Sequence, residues 1–170
     1  MTLRLCGISK ESFVDGPGIR FVVFTQGCPH HCPGCHNPQT HGFSGGETWQ
    51  VDDLFELMGK NPLQEGITFS GGEPFSQAQA LSLLAQKIKG AGMNLWIYTG
   101  YTYEELLQMS QEDEGVKALL DKTDVLVDGR FILKQRTLGT PFIGSQNQRL
   151  IDVPKSLKAG GVILWEAPVW

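Results

Sequence analysis

Two periodicities alternate along the chain. Short apolar runs of strand length recur at Phe21-Val22-Val23-Phe24-Thr25, Ile67-Thr68-Phe69, Leu95-Trp96-Ile97-Tyr98, Val125-Leu126-Val127 and Val162-Ile163-Leu164-Trp165, and they predict about five strands. Between them lie stripes of helical spacing. Val51, Leu54, Phe55 and Met58 fall at i, i+3, i+4 and i+7, and Asn61-Pro62 ends that helix. Ala80, Leu81, Leu84, Ala85 and Ile88 make a second stripe, stopped by Gly90 and Gly92. Thr102 and Glu105 form a T-x-x-E capping box for a third helix, and Val116, Leu119 and Leu120 mark another short one. The stretch from Lys134 to Gln148 is polar and irregular and reads as a long loop. Asp15-Gly16-Pro17-Gly18 reads as a tight turn. There is no internal repeat and no low-complexity tract.

Strands alternating with helices predict βαβ units, a parallel sheet and right-handed crossovers. Four unusual segments each follow a predicted strand: a cysteine loop after Thr25, Gly71-Gly72-Glu73-Pro74, Thr99-Gly100-Tyr101 and Asp128-Gly129-Arg130. In parallel α/β folds the carboxyl ends of the strands point to one face, where sites form. The four segments are therefore expected to converge. The strands are too few for an eight-stranded barrel, so the expected fold is α/β: a partial, open βα barrel with parallel strands and outer helices. Residues 1–170 are expected to form a single domain.

Composition narrows the function classes. The chain is 41% hydrophobic and 19% charged, as a soluble globular protein is. Its net charge of −4 gives no electrostatic case for nucleic acid. No apolar run spans a bilayer, and the N-terminal stretch has no apolar segment of signal-peptide length. A cytoplasmic location is expected, where thiols stay reduced. Glycine is in excess, with 21 residues against about 12 at average usage, which implies many close backbone approaches.

The candidate chemistry sits in Cys28-Pro29-His30-His31-Cys32-Pro33-Gly34-Cys35, where three thiols are separated by three and two residues. A fully protein-ligated four-iron cubane takes four thiolates. Three leave one iron open, and an open coordination position distinguishes a reactive centre from a structural one. Zinc is the alternative, since His30, His31, His36 and His41 all lie in or near the loop. Zinc sites usually draw on two separated ligand pairs, however, and no second pair lies downstream. A disulfide fits poorly, because three clustered cysteines cannot all pair. The fourth cysteine, Cys6, lies in the apolar stretch from Leu3 to Ile8 and is expected to pack as a small hydrophobe.

Gly71 and Gly72 allow close backbone approach to a ligand, and the Glu73 carboxylate and nearby carbonyls are suited to an ammonium group. Asp128 ends an apolar strand, as a solvated turn residue or a ligand contact. Asn147-Gln148-Arg149 is a polar cluster that solvation explains as well as function does.

The cysteine loop resembles the signature of the radical S-adenosylmethionine enzymes. Asp15-Gly16-Pro17-Gly18-Ile19-Arg20, Cys35-His36-Asn37-Pro38, Ser70-Gly71-Gly72-Glu73-Pro74, Tyr98-Thr99-Gly100-Tyr101, Asp124 to Phe131 and Gly144 to Arg149 together resemble the glycyl-radical-enzyme activases. Within them the pattern and short length resemble the branch serving the anaerobic (class III) ribonucleoside-triphosphate reductase. The resemblance implies a [4Fe-4S] cluster on Cys28, Cys32 and Cys35, with S-adenosylmethionine chelating the fourth iron. Gly34, Cys35 and His36 would meet its adenine, Gly71, Gly72 and Glu73 its amino group, and Asp128 its ribose or a substrate. A flavodoxin- or ferredoxin-type protein would supply an electron, cleavage would give methionine and a 5′-deoxyadenosyl radical, and the glycyl-radical subunit of the reductase would be the target. Gly34 departs from the superfamily, which usually has an aromatic residue before the third cysteine, but Pro-Gly is familiar in the reductase-activase branch. Two rivals remain: a small-molecule radical enzyme such as the 7-carboxy-7-deazaguanine synthases, and a zinc-stabilised binding module.

Overall fold

The computed structural model describes residues 1–169. Seven strands form one sheet. They are β1 (Thr2–Ser12), β2 (Ile19–Thr25), β3 (Glu47–Gln50), β4 (Gln64–Gly71), β5 (Asn94–Tyr98), β6 (Val125–Asp128) and β7 (Arg149–Asp152). The helices are α1 (Val51–Leu57), α2 (Ala78–Gly90), α3 (Tyr103–Met109), α4 (Glu114–Asp121) and α5 (Val153–Ala159). The strand order is β3-β1-β2-β4-β5-β6-β7, and the sheet stays open.

The centre of the sheet is parallel: β2 pairs with β4, β4 with β5 and β5 with β6. The edges are antiparallel, with β3 and β1 on one side and β7 on the other. The expected parallel α/β architecture is thus present, but as the middle of a wider mixed sheet. Parallel strands covered on both faces read as continuous apolar runs, which is why the sequence shows β2, β4, β5 and β6. Phe21, Ile67 and Leu95 form one row across them, and Val23, Phe69, Ile97 and Leu126 another. Both rows lie in the main core under the helices. The alternate row, Val22, Thr68, Trp96 and Val125, lies on the opposite face.

Both long helical stripes are buried as their spacing predicts, Val51, Leu54 and Met58 from the first, and Ala80, Leu81, Leu84, Ala85 and Ile88 from the second. The capping box forms in full: the Thr102 side chain accepts from the Glu105 amide, and the Glu105 side chain accepts from the Thr102 amide. No helix of the described residues is long and apolar enough to cross a membrane.

The strand predicted at 162–165 is replaced by a single bridge, Ile151 to Leu164. The edge strand is β7 instead, followed by α5, whose N-cap Asp152 accepts from the Lys155 amide and whose C-cap is Gly160 at φ 75°. Cys6 also departs from expectation. It lies on the exposed side of β1, while Leu3 and Leu5 point inward.

On the face away from the helices, Arg20 is buried without a carboxylate partner among the described residues. It donates to Thr68 Oγ1 (2.8 Å), the Ile67 carbonyl (2.8 Å), Asn94 Oδ1 (2.9 Å) and the Pro17 carbonyl (3.3 Å). It also lies 5.5 Å from the centre of the Trp96 ring. Burial pulls its pKa down to about 10. Thr68 Oγ1 in turn donates to the Asp15 carbonyl at 2.7 Å, so this network folds the Asp15–Gly18 turn over the sheet.

Candidate functional site

β2 runs directly into Gln26-Gly27-Cys28. The cysteine loop is closed at its base by two backbone bonds, Gly27 N to Thr40 O (2.7 Å) and Cys28 N to His41 O (3.1 Å). Gln26 reinforces the closure, its side-chain amide donating to the carbonyls of Gln39 (3.2 Å) and Gly42 (2.6 Å). Inside the loop, Cys35 N donates to Cys32 O at 3.1 Å. His31 at φ 48° and Gly34 at φ 75° turn the chain on either side of Cys32. A Cβ on Gly34 would lie 2.9 Å from Leu133 Cδ1. The left-handed backbone here favours glycine over an aromatic residue, and a side chain would also have to displace Leu133.

The thiols of Cys28, Cys32 and Cys35 are free, the first buried and the others half-buried. Asn37 N donates to Cys35 Sγ at 3.4 Å. Burial pushes the Cys28 thiol up, backbone amides of His30 and His31 pull it back, and the charges of Glu73 and Cys32 raise it further. A group that ligates as thiolate therefore depends on those amide donors and on the metal itself.

All three cysteines line one cavity of about 120 Å³. The ends of the other parallel strands line it too: Gly71 and Gly72 after β4, Thr99 and Gly100 after β5, and Gly129 and Phe131 after β6. The four predicted segments do converge. The donor set fits a [4Fe-4S] cluster, with three free thiols on one wall and amide donors aimed at sulfur. Among the described residues, no three His, Cys, Asp or Glu side chains are grouped to hold a single metal ion.

Gly71 and Gly72 are required by a chain crossing. A Cβ on Gly71 would lie 2.5 Å from Thr25 N, and one on Gly72 would lie 2.3 Å from the Gly27 carbonyl oxygen. At this crossing Gly72 N donates to Thr25 O, and Glu73 N donates to Gly27 O, each at 2.8 Å.

Glu73 is fully buried, and its carboxylate is occupied. Oε1 accepts from Phe75 N (3.0 Å) and Thr99 Oγ1 (2.8 Å). Oε2 accepts from Gly100 N (2.8 Å) and His30 Nε2 (2.7 Å). A carboxylate offers about four lone-pair positions, and protein donors reach all four here. Glu73 thereby joins β4, β5 and the cysteine loop.

Asp128 is likewise committed. Its carboxylate accepts from Tyr103 N at 2.8 Å and from Arg149 Nε and Nη2 at 3.1 and 2.5 Å. Its neighbour Gly129 lines the cysteine cavity, and the Asp128 side chain does not. The polar cluster around it has a structural reason. Asn147 Nδ2 donates to the Arg130 carbonyl at 2.8 Å and Gln148 Nε2 to that of Gly129 at 3.0 Å. These side chains fasten the segment before β7 to the turn after β6. His36 lies beside Phe131, their ring centres 5.1 Å apart.

Sequence reasoning missed His30 as an individual residue. Its side chain is 5% exposed and bonded to Glu73, and a Cβ on Gly100 would lie 2.3 Å from its ring. The only hint was a histidine between two cysteines in a loop otherwise rich in proline.

An open parallel-centred sheet with three cysteines at its carboxyl ends defines an iron–sulfur protein, and residues 14–151 match the family model described as "4Fe-4S single cluster domain". The anaerobic ribonucleoside-triphosphate reductase-activating protein of Vibrio cholerae is 38% identical over 143 residues, covering 79% of this chain and 88% of that protein. The protein of the same name from Enterobacteria phage T4 is 33% identical, covering 81% and 86%. The pyruvate formate-lyase-activating enzyme of Clostridium pasteurianum is 36% identical over 70% of this chain and 58% of its own. The chain belongs to the family of anaerobic ribonucleoside-triphosphate reductase-activating proteins. It is a radical S-adenosylmethionine activating enzyme, with a [4Fe-4S] cluster and S-adenosylmethionine as cofactors. The zinc reading is set aside with that match. A solved structure, QueE from Escherichia coli, aligns with a TM-score of 0.47 at 18% identity over 60% of this chain and 54% of the other, a likeness too partial to carry an argument.

Proposed function

We propose that this protein activates the anaerobic ribonucleoside-triphosphate reductase by generating the glycyl radical of its glycyl-radical subunit. Cys28, Cys32 and Cys35 hold the cluster, and the backbone at Gly34-Cys35-His36 and at Gly71-Gly72 contacts the cofactor. When bound, the cluster supplies the electron that cleaves S-adenosylmethionine to methionine and a 5′-deoxyadenosyl radical. Residues 1–170 act as one unit in the cytoplasm, and a flavodoxin- or ferredoxin-type protein is the electron donor.

One observation carries the choice of a protein target. A second cavity, about 640 Å³, adjoins the first and shares Cys35, Ser70, Tyr98, Phe131 and Gln148 with it. It opens to the side between residues 13–15 and 137–144. Its rim carries Phe13, Val14 and Leu138, exposed by 66%, 76% and 86%. Apolar side chains exposed together mark an interaction surface. A small-molecule enzyme encloses most of its substrate, whereas here a docked loop of the reductase supplies the missing wall and excludes water.

The test is to mix reduced protein, S-adenosylmethionine and the class III reductase anaerobically. A glycine-centred radical on the reductase is expected by electron paramagnetic resonance, with methionine and 5′-deoxyadenosine released. Replacing the acceptor glycine by alanine should abolish the radical. Turnover of a deazapurine precursor by this protein alone, with no radical on the reductase, overturns the reading.

A further inference from the structure

Hydrogen bonds of Gln26, Gly27 and Cys28 fasten the base of the cysteine loop, whereas its apex packs beside Phe131 and Leu133 without backbone hydrogen bonds to the rest of the fold. Among the described residues, the hydrogen bonds of the segment 29–36 are internal to the loop, with one exception: His30 Nε2 to Glu73 Oε2 at 2.7 Å. That bond spans the site. Glu73 is held on the far side by the Phe75 amide, the Thr99 hydroxyl and the Gly100 amide. The His30 ring lies edge-on to Tyr101, 4.6 Å between centres, and rests against the backbone of Gly100.

We propose that the His30–Glu73 hydrogen bond is the tether that positions the cluster-bearing loop against the cofactor-binding wall. His30 is a positioning residue in this scheme and does not ligate iron. The inference rests on the cluster assignment proposed above. The imidazole donates to a carboxylate that has no other free position, so its Nε2 carries the proton and is not available to a metal. Both partners are buried, where a hydrogen bond to a charged group is stronger than in water. The bond reaches from the middle of the first cysteine spacing to the ends of both β4 and β5. Breaking it leaves the strands and the fastened base of the loop in place and lets Cys32 and Cys35 drift relative to Gly72 and Gly100.

The test compares His30→Leu, His30→Gln and His30→Asn in anaerobically reconstituted full-length protein. A Gln side-chain amide reaches about as far as Nε2 and can donate to Glu73, while Asn is too short and Leu has no donor. The measurements are the rate of iron loss to a chelator and the electron paramagnetic resonance spectrum of the reduced cluster with and without S-adenosylmethionine. Unfolding of each apoprotein is followed in parallel. His30→Gln should stay within about twofold of the wild type. His30→Leu and His30→Asn should lose iron about tenfold faster or more, as loss of a hydrogen bond to a charged group implies. Their spectra should respond less to S-adenosylmethionine, a change that lower stability alone does not produce, while apoprotein unfolding reports the separate cost of the unpaired Glu73 carboxylate. If His30→Leu does not fold, His30→Asn against His30→Gln gives the same comparison. Wild-type protein that takes up no iron overturns the cluster assignment and the tether together. Wild-type protein that holds a cluster, with all three variants alike in iron loss and spectrum, overturns the tether alone.

Discussion

The Arg149 guanidinium grips the Asp128 carboxylate through two donors, Nε at 3.1 Å and Nη2 at 2.5 Å. The two residues face each other in the register between β6 and β7. Asp128 is 1% exposed, and Arg149 also reaches Glu104 with Nη2 at 2.7 Å. The pair holds the last edge strand and the start of α3 to the same point. Arg149→Met should destabilise the protein by about 3 kcal/mol, because it leaves a buried carboxylate without its cation. Arg149→Lys should recover little, since an ammonium cannot reproduce the two-donor fork. Denaturant unfolding of the apoprotein measures both.

Cys28→Ala, Cys32→Ala and Cys35→Ala should each abolish the intact cluster, and Cys6→Ala should retain it. Cys6 lies on the exposed side of β1 and lines no part of the cysteine cavity. Anaerobic iron and sulfide analysis decides this, with about four irons per chain expected for the wild type and for Cys6→Ala.

Gly72→Ala should cost about 1–3 kcal/mol, as overpacking does, because its Cβ would meet the Gly27 carbonyl oxygen. Gly42→Ala is the control. Nothing lies within 4 Å of its Cβ, and a change within about 0.5 kcal/mol is expected for such a surface site. Thermal unfolding of the two variants should separate them clearly.

Arg20→Met should loosen the Asp15–Gly18 turn as well as the sheet. It strands buried acceptors on Ile67 and Thr68 and a half-buried one on Asn94, and buried unsatisfied groups cost about 1–3 kcal/mol each. Amide exchange at Asp15, Gly16 and Gly18 should rise together with the loss of global stability.

Leu138→Asp and Phe13→Asp should lower glycyl-radical yield on the reductase while leaving S-adenosylmethionine cleavage by the reduced protein alone near the wild-type rate. Both side chains stand on the exposed rim of the lateral cavity. Radical yield against methionine release, measured with and without the reductase, distinguishes docking from chemistry.

The sequence disclosed the parallel centre of the fold because strands buried on both faces must be apolar throughout, and the odd turns at their ends stood out against that background. β1, β3 and β7 were hidden for a different reason. Their pairing is antiparallel and lies at the margins, and β1 loses simple alternation at two register shifts, after Leu5 and after Ser9. β3 and β7 are each only four residues long. Within the candidate site, residue type showed that Glu73 and Asp128 were significant but not in what sense. A carboxylate's role depends on which donors have already filled it. Those donors come from residues as far away as Thr99, Gly100 and Arg149, and no local pattern announces them.

The closure of the cysteine loop by Gly27–Thr40, Cys28–His41 and the Gln26 amide bears on maturation and repair. Those bonds need no iron, so the ends of the loop are already gathered before any metal arrives. Assembly then has to order only the few residues between them, and the entropy of closing a short segment is modest. After an oxidant strips the iron, the polypeptide should stay folded around a socket. Such protein should return to service by reloading rather than by resynthesis, an advantage for a catalyst whose working metal centre must remain open on one side.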